Sequence, residues 1–173
     1  LANYDVFINL GLRWYSLDTA GQAFVADWFA SGGDYVGLGY QGRAIDFAVD
    51  AGWVDVGYGY TGGNAILNID YDPDDPVAAG FAEDGYAFVY RSVWFTDWDD
   101  MEVSASVDAD ANGFLVSGYW EDWQTSGANG QPIVVHNADG ASDVTLIGFD
   151  ADFRGHPENT FRILGNAIYS GLD

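Results

Sequence analysis

Residues 34–52 read DYVGLGYQGRAIDFAVDAG, and this stretch decides the fold class. DYVGLGY is a short apolar run of the buried-strand type, and QGRAIDFAVDAG has the spacing of a helix that closes at Gly52. The preceding segment repeats this order: YDVFINL reads as a strand, and SLDTAGQAFVADWFASGG reads as a helix that Ser16 or Asp18 can cap. Strand, helix, strand, helix is the order of a parallel sheet with crossover helices, so we predict an α/β domain.

The character of the chain changes at Trp53. From there the sequence is rich in glycine, aromatic and β-branched residues with turn signals between them, which is typical of strands. MEVSASV and FLVSGYW flank DADANG, an arrangement that predicts a β-hairpin, and TFRILGNAIY predicts a last helix. We interpret residues 1–173 as one domain, in which residues 53–135 form a β-rich elaboration on the α/β frame.

Charge and composition exclude several classes of function. The chain has 27 acidic residues against five arginines and no lysine, a net charge of -22, so its surface would repel nucleic acids and anionic lipids. No apolar run approaches the roughly 20 residues that span a bilayer. The absence of cysteine removes disulfides and thiol nucleophiles. The acidity fits an extracellular or salt-rich setting, and equally an ordinary acidic secreted protein.

The chain starts at Leu1 and enters a strand-like run almost at once. We therefore expect it to be a piece of a longer protein.

Five segments, in this order, carry a resemblance to a known family: YDVFINLGLRWYSL, GGDYVGLGYQGRA, NGFLVSGYWED, GQPIVV and TLIGFDADFRGHPENTFRILGNAIY. Together they resemble the C-terminal domain of bacterial secreted zinc carboxypeptidases, which is similar to class I glutamine amidotransferases. The likeness spans nearly the whole chain. It implies a three-layer, flavodoxin-like α/β sheet and an extracellular parent that removes C-terminal residues from peptides. It also implies a partner, the upstream peptidase domain, which would hold the catalytic zinc.

The histidines of this chain do not fit a catalytic zinc site. Such peptidases need a histidine and a glutamate in one short loop and a second, distant histidine, because three protein ligands leave one position for water. His136 is followed three residues later by Asp139, and His156 precedes Glu158 at the wrong spacing. We expect no catalytic zinc in this chain, and calcium is its one candidate cofactor.

The amidotransferase chemistry lacks its nucleophile. Those enzymes place a cysteine on a tight strand-to-helix turn, and a histidine and a glutamate from a later loop activate it. The matching turn here has Gly39 at the nucleophile position, and His156 and Glu158 match the activating pair. We predict a structural corner at which glycine lets the following helix pack closely.

The loop before the last helix, FRGHPENT, allows two interpretations. His156 and Glu158 keep the shape of an active site, or the segment is simply the start of a helix. Arg154 pairs with Asp150, with Asp152 or with a strand-end carbonyl, or it binds a ligand.

Two acidic segments are candidate calcium sites. In DADANG, the oxygen ligands Asp108, Asp110 and Asn112 have the spacing of a calcium loop, but Tyr119 stands where the bidentate glutamate belongs. A hairpin turn explains the same letters. DYDPDDP is the second candidate, although its prolines equally predict a rigid solvated loop; its ligands would be Asp70, Asp72, Asp74 and Asp75.

Aromatic residues supply the remaining binding candidates. Alternation in YAFVYRSVWFTDW places five rings on one face of a strand, which we interpret mainly as core: Tyr86, Phe88, Tyr90, Trp94 and Trp98. Later aromatic residues lie beside acidic residues and are typical of a surface platform for a sugar ring or an aromatic peptide end: Tyr119, Trp120 and Trp123. Tyr40 and Gln41 in the glycine turn are further candidates.

Three functions follow from these patterns. The first is a non-catalytic accessory domain of a secreted zinc carboxypeptidase, which positions a peptide substrate or a partner. The second is a hydrolase on the amidotransferase-like scaffold that uses His156 and Glu158 with a water molecule. The third is a carbohydrate- or calcium-binding surface module.

Overall fold

The computed structural model describes residues 1–98, 100–109, 113–121, 127–137, 140–153 and 160–170. These residues include three α-helices: α1 (Thr19–Ala30), α2 (Arg43–Asp50) and α3 (Phe161–Tyr169). They also include ten strands: β1 (Val6–Asn9), β2 (Asp34–Leu38), β3 (Gly57–Tyr60), β4 (Asn64–Tyr71), β5 (Asp84–Tyr90), β6 (Val93–Asp97), β7 (Glu102–Val107), β8 (Leu115–Tyr119), β9 (Pro132–Asn137) and β10 (Val144–Ile147).

Eight of the strands form one mixed sheet. Its order is β1-β2-β10-β9-β7-β4-β5, and β8 also pairs with β4. The strands β1, β2 and β10 are parallel, whereas β9, β7, β4 and β5 continue the sheet with antiparallel pairs. The strands β3 and β6 form a separate antiparallel pair. The predicted α/β class is confirmed, but only three of the strands pair in parallel.

Local sequence signals explain the first two helices. The α1 helix starts where the Asp18 carboxylate accepts a hydrogen bond of 2.8 Å from the Gly21 amide, one of the two caps that the sequence offered. Its side chains Val25 and Trp28 are buried, whereas Phe24 is 48% exposed. The α2 helix is followed by Gly52 at φ +75°, a left-handed conformation that suits glycine.

The strands β2 and β10 are buried along their whole length. Along β2, Tyr35 belongs to one apolar cluster, which includes Val25 of α1 and Ile45 of α2. The next residue, Val36, belongs to a second cluster, which includes Ile163 of α3. Alternate residues of a strand point to opposite faces, so each face of β2 contributes to a different apolar cluster.

The predicted hairpin around DADANG is wrong. Both β7 and β8 pair antiparallel with β4, at opposite ends of that strand. Two strands that are each antiparallel to a third run in the same direction, so they cannot form a hairpin with each other. The long β4 strand provides one edge for both of them.

The aromatic run YAFVYRSVWFTDW is two strands and not one. Arg91 has φ +48°, and this left-handed residue ends β5 before β6 starts in the other sheet. Tyr86, Phe88 and Tyr90 share one face of β5, whereas Trp94 is buried in the core. No helix among the described residues is long and apolar enough to cross a membrane.

Candidate ligand site at the carboxyl edge of the parallel strands

The carboxyl ends of β1, β2 and β10 meet at one edge of the sheet, where open α/β sheets characteristically bind ligands. Two buried polar side chains fix the loops at this edge. Asn9, at the end of β1, accepts hydrogen bonds from the amides of Gly11 and Leu12 and donates one of 2.8 Å to the Tyr35 hydroxyl. Tyr35 in turn donates to the Ala44 carbonyl at 2.6 Å. The loop after β1 and the start of α2 are thereby held together.

The predicted tight turn follows β2. Gly39 leads into a single turn of 3-10 helix, Tyr40–Gly42, and α2 starts at the next residue. Gln41 has φ +56°, which is uncommon for a residue with a side chain, and Gly42 has φ +71°. A left-handed non-glycine residue is typical of places where the surrounding structure enforces a functional geometry.

Gly39 leaves no space for a side chain. A Cβ atom at this position would lie 2.3 Å from the carbonyl carbon and oxygen of Gly148. Gly148 is itself fixed, because its amide donates to Ile133 at 2.7 Å and its carbonyl accepts from Val93 at 2.8 Å. A nucleophile at residue 39 would therefore require the backbone after β10 to move.

Two arginines converge on the ring of Tyr40. The guanidinium carbon of Arg43 lies 5.5 Å from the ring centroid and that of Arg91 lies 5.9 Å from it, within cation–π range. Arg91 also donates a hydrogen bond of 3.3 Å to the Tyr40 hydroxyl, and Arg43 donates one of 3.1 Å to the Gln41 side chain. The Gln41 amide donates to the Arg91 carbonyl at 3.2 Å, which ties the turn to the end of β5.

These two cations have no carboxylate partner among the residues that the structure describes. Among the described residues, no carboxylate oxygen lies within 4.0 Å of Arg43 or Arg91, although acidic residues outnumber arginines 27 to 5. The Nε atom of Arg43 is buried and has no hydrogen-bond acceptor among the described residues. Guanidinium groups without a carboxylate partner among the described residues can form charge-assisted hydrogen bonds, so this edge offers favourable contacts to an anion.

Asp150 brings a partly buried carboxylate to this edge. Its carboxylate accepts a hydrogen bond from the Tyr40 amide, but burial, together with the nearby charge of Asp152, raises the pKa of Asp150 to about 6. The group therefore changes charge close to neutral pH, directly behind the turn that carries the two arginines.

A row of stacked aromatic rings leads away from the turn. The Tyr40 and Tyr90 ring centroids are 6.2 Å apart, those of Tyr90 and Phe153 4.5 Å, and those of Phe153 and Phe88 5.8 Å. On the same face of β5, Tyr86 is 57% exposed. We call Tyr40, Tyr90, Phe153, Phe88 and Tyr86 the aromatic row.

The predicted binding residues separate into three groups. Tyr40 and Gln41 form the turn. Tyr119, on β8, is 62% exposed. It pairs with Asn64 of β4, and Asn64 pairs on its other side with Tyr90 of β5. Trp120 was predicted at the surface, and this is wrong. It is 2% exposed and packs against Trp94 and Phe114, because the residue after an outward-facing strand residue points inward. The other candidates lie outside the described residues: Trp123, Arg154, His156 and Glu158.

The calcium candidates do not form a compact site among the described residues. Burial raises the pKa of Asp70, and the charge of Asp108 raises it further, so the two segments lie near each other. Asp72 accepts a hydrogen bond of 3.0 Å from the amide of Asp74, as in a rigid loop. Asp110 and Asn112 lie outside the described residues. Within the described part of the chain, Asp75 of the second segment is the candidate carboxylate at metal-ligand distance from other side chains, those of Glu102 and His136.

Sequence reasoning missed four residues of the edge: Arg43, Arg91, Asp150 and Phe153. The rarity of cations was a usable signal for the two arginines, because the chain has only five arginines and a net charge of -22. Asp150 reaches Tyr40, and Phe153 reaches Tyr90, only because β10 pairs with β2, and no local pattern carries that information.

Similarity to other proteins is confined to structure. No family model matches the sequence, and no curated protein matches it. A protein described as ThuA-like from Bacteroides uniformis has a TM-score of 0.60 and 17% identity, over 99% of this chain and 71% of that one. A cytoplasmic protein from Salmonella typhimurium LT2 has a TM-score of 0.62 and 15% identity, over 98% and 73%.

A third similar structure, from Thermoplasma acidophilum, is described as part of a GMP synthase. It has a TM-score of 0.55 and 10% identity, over 96% of this chain and 71% of that one. At such identities the likeness establishes the fold alone. The fold is a mixed α/β sheet with few helices, and the ThuA-like neighbour fits the flavodoxin-like class.

Proposed function

We propose that this chain is a non-catalytic binding domain, which holds a carboxylate-bearing ligand at the carboxyl edge of its parallel strands. One observation carries the proposal. Arg43 and Arg91 converge on Tyr40 without a carboxylate partner in the described residues, beside a turn whose nucleophile position is Gly39. The site can therefore bind an anion, and its turn provides no group that could attack one.

The chemistry of the edge favours a planar carboxylate next to an apolar or aromatic group. A guanidinium group binds a carboxylate through two parallel N–H donors, and the aromatic row offers ring faces beside it. The C-terminal residue of a peptide combines these two features. We infer that the ligand is a peptide with a free C-terminus.

This ligand agrees with the resemblance to a carboxypeptidase accessory domain. In that setting the chain would be a three-layer, flavodoxin-like domain with a β-rich insertion at about residues 53–135. It would hold peptide ends for an upstream zinc peptidase in an extracellular protein. The domain itself would need no cofactor for this role.

A binding experiment with matched peptides tests the proposal. The probes are two short peptides that end in phenylalanine, one with a free carboxylate and one with a C-terminal amide, titrated by calorimetry. We expect the carboxylate peptide to bind, and Arg91→Gln to weaken it about tenfold or more, because a hydrogen bond to a charged group contributes about 1.5–3 kcal/mol.

Arg162→Gln is the matched control, since Arg162 lies on α3, donates a hydrogen bond to the Gly80 carbonyl and lines a pocket with Tyr86, not with Tyr40 or Arg91. It removes the same charge and should leave the affinity unchanged. Equal binding of the amide peptide, or equal losses in both variants, would contradict the proposal.

The exposed rings favour a second candidate, a carbohydrate-binding surface. Tyr86 and Tyr119 are each more than half exposed, at 57% and 62%, and exposed aromatic rings are suitable platforms for sugar faces. Titration with neutral oligosaccharides distinguishes it, because that binding should depend on Tyr86 and Tyr119 and not on Arg91.

A further inference from the structure

A buried carboxylate fixes the loop at residues 72–78 against the main sheet. Asp75 is 7% exposed, and its Oδ1 atom accepts hydrogen bonds from the amides of Val77 at 2.8 Å and Ala78 at 3.3 Å. These bonds orient the carboxylate so that the other oxygen, Oδ2, faces His136 on β9. The orientation is set by the backbone of the loop itself.

Two further groups meet that oxygen. The Nε2 atom of His136 lies 2.7 Å from Asp75 Oδ2 and 3.7 Å from Glu102 Oε2. Glu102 is the direct partner of His136 in the pairing of β7 with β9, so the register of the sheet places it there. The three atoms come from three separate segments and lie within 4.8 Å of one another.

We propose that Asp75, Glu102 and His136 form a structural zinc site. Tetrahedral zinc with bonds of about 2.0–2.1 Å has ligand atoms about 3.3 Å apart. The two measured distances from His136, 2.7 Å and 3.7 Å, bracket this spacing, so small side-chain shifts suffice to admit the ion. The Glu102 side chain is 65% exposed, which leaves a path for the ion and room for a water molecule as fourth ligand.

The ligand chemistry favours zinc over calcium. An imidazole nitrogen suits zinc, whereas calcium takes six to eight oxygen ligands. A proton shared by His136 and Asp75 would leave to solvent when the nitrogen–zinc bond forms, so no other reactant is needed. The site is separate from the carboxyl edge that carries Arg91, and the inference does not depend on the proposed peptide binding.

The ion would join the loop at residues 72–78 to both β7 and β9. The same loop contacts the last helix, because Asn166 of α3 donates hydrogen bonds to the carbonyls of Val77 at 3.0 Å and Ala79 at 2.9 Å. A bound ion would therefore stabilise the packing of α3 as well as the loop, and zinc should raise the unfolding temperature.

Calorimetry with Zn²⁺ on the chelator-treated protein tests this site. We expect one ion per chain, a higher unfolding temperature with zinc, and no competition from Ca²⁺. Glu102→Gln should weaken zinc binding at least about tenfold, the loss that even an outer-shell partner can produce. This variant changes an exposed side chain, so it should fold without metal, and circular dichroism checks that it does.

Glu83→Gln is the matched control for the acidic surface, because Glu83 is exposed and stands outside the three-residue group. It should bind zinc like the original protein. Absent zinc binding would overturn the proposal. Weak binding of several zinc ions per chain would also overturn it if both variants lose these ions equally or if neither loses them. That pattern indicates adsorption to the acidic surface.

Discussion

Replacing Asp150 with asparagine should stabilise the protein, and only above mildly acidic pH. Burial raises the pKa of Asp150 from 3.8 to about 6, so between these values the folded chain holds a proton that the unfolded chain has released. The stability that this proton contributes is fully present below pH 3.8 and is lost as the pH rises through about 6. Asparagine never ionises, and its oxygen can still accept the Tyr40 amide.

The shift sets the size of the effect. Each unit of pKa corresponds to about 1.4 kcal/mol, so a shift of about two units gives an upper limit of about 3 kcal/mol at neutral pH. Asp150 is partly exposed, and solvent screening lowers the expected gain in unfolding free energy to about 1–2 kcal/mol. Towards pH 4 the two proteins should converge.

Urea unfolding at several pH values between 4 and 8 measures this gain, with the fluorescence of the seven tryptophans as the signal. Asp152→Asn is the matched control, because it removes an equal charge at an exposed neighbour and should give a smaller gain. The reasoning is refuted if Asp150→Asn gives the same gain at pH 4.5 and pH 7.5, or no more than Asp152→Asn at pH 7.5.

Two further pairs of substitutions test the packing. Gly39→Ala should lower the unfolding free energy by about 3 kcal/mol or more, because its Cβ meets backbone at 2.3 Å. Gly165→Ala in α3, where a Cβ meets nothing within 4 Å, should raise the unfolding free energy by about 0.5–1 kcal/mol. Equal urea midpoints for the Gly39→Ala and Gly165→Ala proteins would contradict the predicted clash at residue 39. Trp120→Ala should cost about 3–5 kcal/mol and Tyr119→Ala about 0.5 kcal/mol or less in the same urea assay. Similar losses for this pair would show that Trp120 is not core.

The sequence was sufficient for elements whose signals are local. The Asp18 cap, the apolar spacing of α1 and α2 and the glycine after α2 all lie within a few residues of the boundary they set. The turn at Gly39 was likewise predictable, because a glycine-rich strand-to-helix junction is determined by its own backbone.

Strand pairing was not predictable in the same way. DADANG has the letters of a hairpin, but β4 is long enough to pair with both β7 and β8, and burial across the sheet decides the outcome. The break at Arg91 is equally invisible in an alternating aromatic run. A backbone bond from Arg91 to Gly63 ties the break to a distant loop.

The candidate site shows the same division. Tyr40 and Gln41 were predicted because they belong to the glycine turn itself. Arg91, Asp150 and Phe153 join that site from other parts of the chain. Trp120 was misplaced because its acidic neighbours in sequence say nothing about its partners Trp94 and Phe114.

The contact between Gly39 and Gly148 has a consequence for protein engineering. The Gly148 amide and carbonyl bond two different strands, β9 and β6, so the backbone facing residue 39 cannot withdraw without breaking bonds in both. A cysteine at residue 39 would consequently require the end of β10 to be redesigned together with the parts of β9 and β6 that bond to Gly148. A library that varies residue 39 alone would sample mainly unstable proteins, whereas one that also remodels residues 147–149 would have a route to a working nucleophile.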